Sequence, residues 1–346
     1  MASQDVLSRA TVLGFLVGFG LLLALLLLVG VDEVLSVVAT LDPVVLLALL
    51  LVVFLWIGLW SGSFYLTARV FGVESSAATS FLVYAHMMFL DNVVPFSSIS
   101  ADPFAALAVR TSTAADYETS LATVITVDFL NFLPAPAFGV VGIVYLFTVG
   151  SVGETVSTVA VALVGLLGVL SLAGYLGWRF RYRLGSVGAG IVTPVLRAVR
   201  AVVPRMSPPK EAEIDRQVEK LIVHLETMAA DRRSVFTVLV LATGGWALLA
   251  TTLWLSMYAV GYEIPIGLAL FLVSLVTVVE LVPLPGGVGG YESLFVGLLV
   301  ALGGAPPALA TAGVFVHRGA TYWLPVVLGG GVTPFLLERR LSRSDG

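Results

Sequence analysis

No cysteine occurs anywhere in the 346 residues. Disulfides, thiolate nucleophiles and cysteine-ligated metals are therefore excluded. Charge is the second scarcity. Only 12% of residues are Asp, Glu, Lys or Arg, while 58% are hydrophobic. Soluble domains carry roughly 25% charged residues. So little charge is incompatible with a water-facing surface, and the chain is an integral membrane protein. Lysine is almost missing. Lys210 and Lys220 are the two, and arginine supplies the other basic residues. Catalytic templates are lacking as well: HExxH, GxSxG, a P-loop and a dinucleotide fingerprint do not occur. No enzyme activity, cofactor or metal site is expected. An Asp91–Asp128 acid pair, as in intramembrane aspartyl proteases, lacks the glycine context those enzymes use.

What is present is long apolar chain. A helix crosses the bilayer with roughly 20 apolar residues. By that ruler full spans fall at about 11–31, 43–60, 121–148, 155–178, 234–260 and 308–337. The first ends at Asp32-Glu33, not at small residues, and reads as a retained span and not a signal peptide. The last is long enough to tilt or break near Gly329-Gly330-Gly331. Two regions do not fit a simple span. Residues 79–112 are apolar at both ends with DNVVPFSSISADP between, and 266–303 carry LPGGVGG at their centre.

Basic residues set orientation. The segment 179–233 holds 11 of the 18 Lys and Arg. It belongs inside, with Arg9 and the tail residues Arg339, Arg340 and Arg343. Connections 32–42, 149–154 and 261–265 hold none and suit the outside. Counting crossings then makes 79–112 begin and end inside, and 266–303 begin and end outside. Each reads as a re-entrant hairpin, entering from opposite faces. The expected fold is an all-α polytopic membrane protein of two inverted repeats, each with a re-entrant hairpin. The whole chain, 1–346, forms one transmembrane domain, with halves at about 1–150 and 151–346 and both termini cytoplasmic in the cell membrane. The hairpin centres are alike: acid, valine before proline, small residues, acid, from Asp91 to Asp102 and from Glu280 to Glu292.

Irregular backbone at membrane depth is tolerated where protein or a water-filled cavity surrounds it. The prolines end the incoming helices and the glycines allow tight turns. Helix ends left at depth carry partial charges that hold an anionic headgroup or a cation. Intramembrane ionisable residues each cost about 2.5–3.5 kcal/mol on insertion scales and are functional candidates by default. Here they are Asp91, Asp102, Asp128, Glu280, Glu292, Arg318 and Arg110. Asp128, with Asn131 one turn on, belongs to a proton or headgroup site or is a structural partner to Arg110 or Arg318. Glu280 and Glu292 flank the glycine turn of Gly286, Gly287, Gly289 and Gly290. They stand at a cavity mouth, or Glu292 serves the N-terminus of the following half-helix. Arg318 clamps a phosphate or carboxylate, or is a paired structural arginine. Asn92, Ser97, Ser98 and Ser100 can bond free backbone or a headgroup, and Pro95 is the helix breaker. His317 and His86 read as packing residues before proton switches. Between 179 and 233, Arg179 to Arg205 fits an anionic lipid surface. After Pro208-Pro209 an apolar stripe, Ile214, Val218, Leu221, Leu225 and Met228, reads as a helix docked on the inner face, with a self-association coil as the alternative. His224 lies near that stripe.

ELVPLPGGVGGYESL, with its Pro-x-Pro-Gly-Gly-x-Gly, Glu and apolar half-helix, resembles the flippase-like transmembrane domain of lysylphosphatidylglycerol synthase and its stand-alone relatives. FLDNVVPFSSISADPFAALAVRT resembles that family's first-half motif, and VDFLNFLP and the late Arg318 follow in the expected order. The resemblance covers most of the chain, the Pro-Gly-Gly motif being its specific part. It implies a polytopic protein that moves lipids or lipid-linked headgroups between leaflets. It departs at Ser97-Ser98-Ile99-Ser100-Ala101-Asp102, where relatives carry glycines and a charged residue. Nothing matches the aminoacyl-transfer domain of the bifunctional members, so lipid aminoacylation is not expected. The expected partner is a membrane lipid or lipid-linked substrate and not nucleic acid; a homo-oligomer is compatible with this. A small-anion carrier and a membrane scaffold remain the alternatives.

Overall fold

The structure, a computed structural model, describes residues 19–94, 101–113, 115–149, 165, 168–169, 222–275 and 285–344. Among the described residues every regular element is helical. Among the described residues three stretches are long and apolar enough to cross a membrane, Pro43–Val70, Tyr117–Thr148 and Arg232–Ala259, and the bent pair Phe19–Val29 and Val31–Val38 makes a fourth if it is one span. Sequence position 155–178, expected as a span, lies almost wholly outside the described residues.

The first apolar run is not one straight span. Helix α1 (Phe19–Val29) turns by 90° into α2 (Val31–Val38). Gly30 makes the corner at φ 101, a conformation that L side chains rarely adopt. Asp32 and Glu33 then fall in the first turn of α2, where the helix dipole favours negative charge.

Two long helices form the centre. Helix α3 (Pro43–Val70) follows Asp42, whose side chain accepts from the Val44 N–H at 2.8 Å. After α4 (Ala77–Val93), α5 (Asp102–Ser112), α6 (Tyr117–Phe132), α7 (Ala135–Val149) and a helix at 222–230, the second long helix, α9 (Arg232–Ala259), also starts behind an aspartate. Asp231 accepts from the Ser234 N–H at 3.1 Å. Each long helix has 28 residues. The short helix at 222–230, α8, seats Met228 against Leu130 and Val238, and His224 meets Phe71 edge-on at 4.9 Å. That end of the apolar stripe is docked; Ile214, Val218 and Leu221 lie outside the described residues.

α3 and α9 pack against each other along their length. Trp60 donates its indole N–H to the Ala242 carbonyl at 3.3 Å, and Gly245 lies so close under the Trp60 ring that a Cβ would collide with it. The second half continues with α10 (Ile266–Ser274), a 3-10 turn at Pro285–Gly287, α11 (Gly290–Gly303), α12 (Pro307–Arg318), a π turn at Gly319–Trp323 and α13 (Leu324–Ser344). Packing crosses between the halves: α4 lies on α13, and α10 on α7. Both contacts are made by glycines whose Cβ would strike backbone, Gly329 against the Ala85 carbonyl and Gly142 against Gly267 and Phe271. Lipid-facing side chains such as Val44, Leu47, Phe236 and Val327 are exposed hydrocarbon, as a bilayer requires.

Of the tilt or break expected of the last span, a break at Gly329-Gly330-Gly331 does not occur. α13 runs through it unbroken, and the irregularity comes earlier, as the π turn. The glycines serve close approach: the helix at Gly329 is pressed onto α4, and His86 Nδ1 lies 3.1 Å from the Gly329 carbonyl.

Candidate functional site

A cavity of about 360 Å³ lies where the two halves meet. Its first wall comes from the ends of α4 and α5 and from α6: Asp91, Asn92, Asp102, Asp128 and Asn131. The opposite wall is Gly286 and Gly287 of the 3-10 turn, Tyr291 of α11, Arg318 of α12 and Thr321 of the π turn. Between them lies an aromatic floor. Trp56 and Trp60 of α3 meet edge-on at 5.3 Å, Trp60 lies 5.9 Å from Trp246 of α9, and Tyr84, Phe129 and Phe132 complete it.

Arg318 is the cation of the lining among the described residues, and it is held on every side. Its Nε donates to Glu292 Oε1 at 2.7 Å and its Nη2 to the Gly286 carbonyl at 2.7 Å. Its guanidinium lies between the Tyr291 ring at 4.6 Å and the Tyr322 ring at 4.3 Å. Such faces attract cations through their quadrupoles. Only 7% of the residue remains exposed, so what the cavity meets is one edge of a pre-aligned guanidinium. Glu292 has a second task. It is the third residue of α11, and its Oε2 accepts from the Gly289 N–H at 2.6 Å. It therefore satisfies one of the otherwise unpaired donors of the helix start.

The 3-10 turn is nested against the end of α4. Gly286 has φ 55, and a Cβ there would collide with Tyr322 and approach the Asn92 carbonyl to 2.8 Å. Asn92 folds its amide back to the Met88 carbonyl at 2.7 Å. The Tyr322 hydroxyl reaches the Asn92 carbonyl at 3.4 Å.

His317 is fully buried beside this set. Its Nδ1 lies 3.0 Å from Thr252 Oγ1 and its Nε2 2.8 Å from the Tyr291 hydroxyl. Thr252 already donates its proton to the Leu249 carbonyl at 2.6 Å. Thr252 therefore accepts from Nδ1–H, and Nε2 accepts from Tyr291. The histidine fixes Tyr291 under Arg318 and is a packing residue, as expected from its sequence setting.

Asn131 donates from Nδ2 to the Tyr84 hydroxyl at 3.3 Å, and its backbone carbonyl takes the Trp246 indole N–H at 2.7 Å. Its Oδ1 has no hydrogen-bond partner, and neither has the Trp56 indole nitrogen.

The structure thus brings eight of the candidate residues together in one cavity: Asp91, Asn92, Asp102, Asp128, Asn131, Gly286, Gly287 and Arg318. Gly289, Gly290 and Glu292 do not line it. Of the two readings of Glu292, cavity mouth or service to the start of the half-helix, the geometry shows the second: it stands behind Arg318, its two oxygens taken by the helix start and the guanidinium. Ser97, Ser98 and Glu280 lie outside the described residues. Arg110 is exposed at the far end of α5. Sequence reasoning missed the aromatic floor and the two tyrosines around Arg318. One signal was available: tryptophans concentrate at membrane interfaces, while Trp56, Trp60 and Trp246 fall mid-span.

A search of curated proteins found no match to the chain. The model of the lysylphosphatidylglycerol synthase transmembrane region matches residues 11–329. With nearly its whole length matched, this membrane protein belongs to the family of lysylphosphatidylglycerol synthase transmembrane regions.

Proposed function

We propose that the protein moves a lipid, or a lipid-linked headgroup, between the two leaflets without chemical change, using the cavity between its halves as the headgroup path. The observation that carries this reading is the lining itself. Three carboxylates, an arginine and a glycine turn line one space inside a helix bundle whose outer surface is hydrocarbon. Polar groups at that depth cost several kcal/mol in lipid and are kept where a polar cargo passes. A volume of about 360 Å³ suits a headgroup and not the tails of a lipid, which then travel in the surrounding bilayer. Membership in a lipid-related family supports the same reading.

In this proposal the two halves are inverted repeats. The order of packing is the same in each: α3 on α4 and α6 in the first, α9 on α10 and α12 in the second, with α5 on α6 and α11 on α12. The inversion rests on the arginine distribution. Two of the helices that flank the two centres are short. At 1.5 Å per residue α5 measures about 16 Å and α10 about 14 Å, well below a bilayer core of about 30 Å, which supports hairpins that enter and return. Arg318 takes the phosphate through its cavity edge, without leaving Glu292.

The test uses purified protein in liposomes with labelled phospholipid in both leaflets and a membrane-impermeant quencher outside. Quenching beyond the outer-leaflet half, reduced in Arg318→Lys, is the expected result. Quenching equal to that of protein-free liposomes across several headgroups removes the proposal. The small-anion carrier fits the same volume, and it predicts uptake of a soluble anion with no gain in quenching.

A further inference from the structure

We propose that α4 and α13 move as one body against the α3–α9 core, hinged at the π turn, and form the gate of the cavity. What passes the gate rests on the proposed lipid movement; the motion itself does not.

The packing divides the helices in this way. α3 and α9 lie along each other, α6 lies on both, and α12 lies on α9. These core helices give Trp60, Asn131, Trp246 and Arg318 to the lining. α13 follows α12 in the chain but packs elsewhere, on α4 and α5 of the first half. α4 is the member of this pair that lines the cavity, through Tyr84, Met88, Asp91 and Asn92. The seam within the pair is tight. A Cβ at Gly329 would strike the Ala85 carbonyl, and His86 Nδ1 lies 3.1 Å from the Gly329 carbonyl and 3.4 Å from Thr333 Oγ1. Surfaces packed so closely move together before they deform. The bonds from α4 to its surroundings across the cavity are longer. Tyr84 accepts from the Asn131 amide at 3.3 Å, and the Tyr322 hydroxyl donates to the Asn92 carbonyl at 3.4 Å. Bonds of that length are weak. The face that must slip is α4 on α3, where the Tyr84 and Phe64 rings are 6.3 Å apart.

Two connections between core and pair are built to yield. α3 turns into α4 at Gly72, with φ 75 and nothing within 4 Å of a Cβ. α12 passes into α13 through the π turn. Pro325 has no N–H for the Thr321 carbonyl, so the helical ladder cannot run regularly through Gly319–Trp323. Kinks and hinges concentrate at such irregularities. The same joint is built a second time from unrelated sequence. α6 gives way to α7 at Leu133-Pro134, where Pro136 has no N–H for the Phe132 carbonyl, and α7 packs on α10 of the other half. α9 turns into α10 at Gly261, with φ 78. Of the two pairs it is α4–α13 that reaches the cavity; among the described residues the lining includes none from α7 or α10.

The test uses the chain, free of native cysteine, in the liposomes of the quenching assay. Nitroxides are placed at exposed positions: Val327→Cys on α13 with Val240→Cys on α9 for gate against core, and Leu51→Cys on α3 with Val240→Cys for the core alone. Pulsed dipolar spectroscopy should give two distances, several ångström apart, for the first pair and one for the second. Gly319→Ala stiffens the joint without a clash, because a Cβ there meets nothing within 4 Å and alanine is the better helix former. It should leave Tm equal or higher, collapse the two distances to one and slow quenching several-fold. A glycine with a merely structural role would lower Tm along with the rate. Gly331→Ala, the same change beyond the joint, should leave distances and rate as in wild type. A single gate-to-core distance in protein that quenches actively overturns the gate and leaves lipid movement standing. Two distances without quenching keep the gate and remove the lipid as cargo. Two distances unaltered by Gly319→Ala overturn the hinge.

Discussion

Arg318 combines a structural partner with a place in the cavity lining. It is a paired structural arginine, through Glu292, and it is an exposed edge in the cavity. The two roles are compatible because a guanidinium has five donors in a fixed fork, and Glu292 and Gly286 engage only Nε and Nη2. Removing the partner is the sensitive change. Glu292→Gln keeps the volume and deletes the counter-charge, leaving a buried cation uncompensated. Breaking a buried pair from one side costs about 3–5 kcal/mol, and thermal unfolding in detergent should show a large fall in Tm; an unchanged Tm would mean that the pair carries no such weight. Gly286 offers a comparison with Gly72. Both have positive φ, 55 and 75, but a Cβ at Gly72 meets nothing within 4 Å, whereas at Gly286 it meets Tyr322 and Asn92. Gly72→Ala should cost only the backbone strain, about 1–2 kcal/mol. Gly286→Ala should cost more and also reduce quenching in the liposome assay, because the turn can no longer nest against α4. Equal Tm losses in the two variants would contradict the nested turn.

At the scale of elements, the interplay of glycine and neighbour decides where a helix bends. Gly329, Gly330 and Gly331 read as a place where a long span tilts or breaks, yet α13 is continuous there and the π turn precedes it. Glycine only permits a break; the contact with Ala85 uses Gly329 for close approach instead. Gly329→Val should therefore push α4 away from α13, disturb the His86 contact with the Gly329 carbonyl, and lower Tm. Gly331→Ala, where a Cβ meets nothing within 4 Å, should leave Tm unchanged or raise it slightly, because alanine is the better helix former. Similar losses from both would show that the glycines act through the helix itself and not through its neighbour. The π turn has a consequence for the site. It carries Tyr322 to the face of Arg318 and the Asn92 carbonyl, and Thr321 to the cavity. π turns are rare and occur often at functional sites.

For the whole molecule, the proposed inversion is open to direct chemical test. Phe71-Gly72-Val73-Glu74 follows α3 and Val260-Gly261-Tyr262-Glu263 follows α9, each after a 28-residue helix and each turning at a glycine with φ near 75, at 75 and 78. If the halves are inverted, these matching corners face opposite sides. The chain has no native cysteine. Glu74→Cys and Glu263→Cys, both at exposed positions, should label with an impermeant maleimide from inside and outside respectively. Labelling of both from one side would sink the inverted repeat. Gly261 itself is a poor labelling site, since a cysteine there would be forced into positive φ.

Composition placed the protein in a membrane, and the length of its apolar runs made it helical, because in lipid the backbone is satisfied within helices or closed barrels and runs of about 20 apolar residues are the mark of helices. The interruptions at Asp91 to Asp102 and Glu280 to Glu292 marked the neighbourhood of the cavity, since proline, glycine and carboxylates are costly in apolar spans unless protein surrounds them. Five of the eight candidates that share one space, Asp91, Asn92, Asp102, Gly286 and Gly287, lie in those interruptions, while Asp128, Asn131 and Arg318 come from outside them. Tertiary structure decided the rest. Which side chains face the cavity depends on rotation and crossing of helices that are apolar on every side, and such helices carry no periodic signal to read. The aromatic floor, the tyrosine faces around Arg318 and the withdrawal of Glu292 behind it all come from contacts between residues far apart in the chain. No local pattern encodes those contacts.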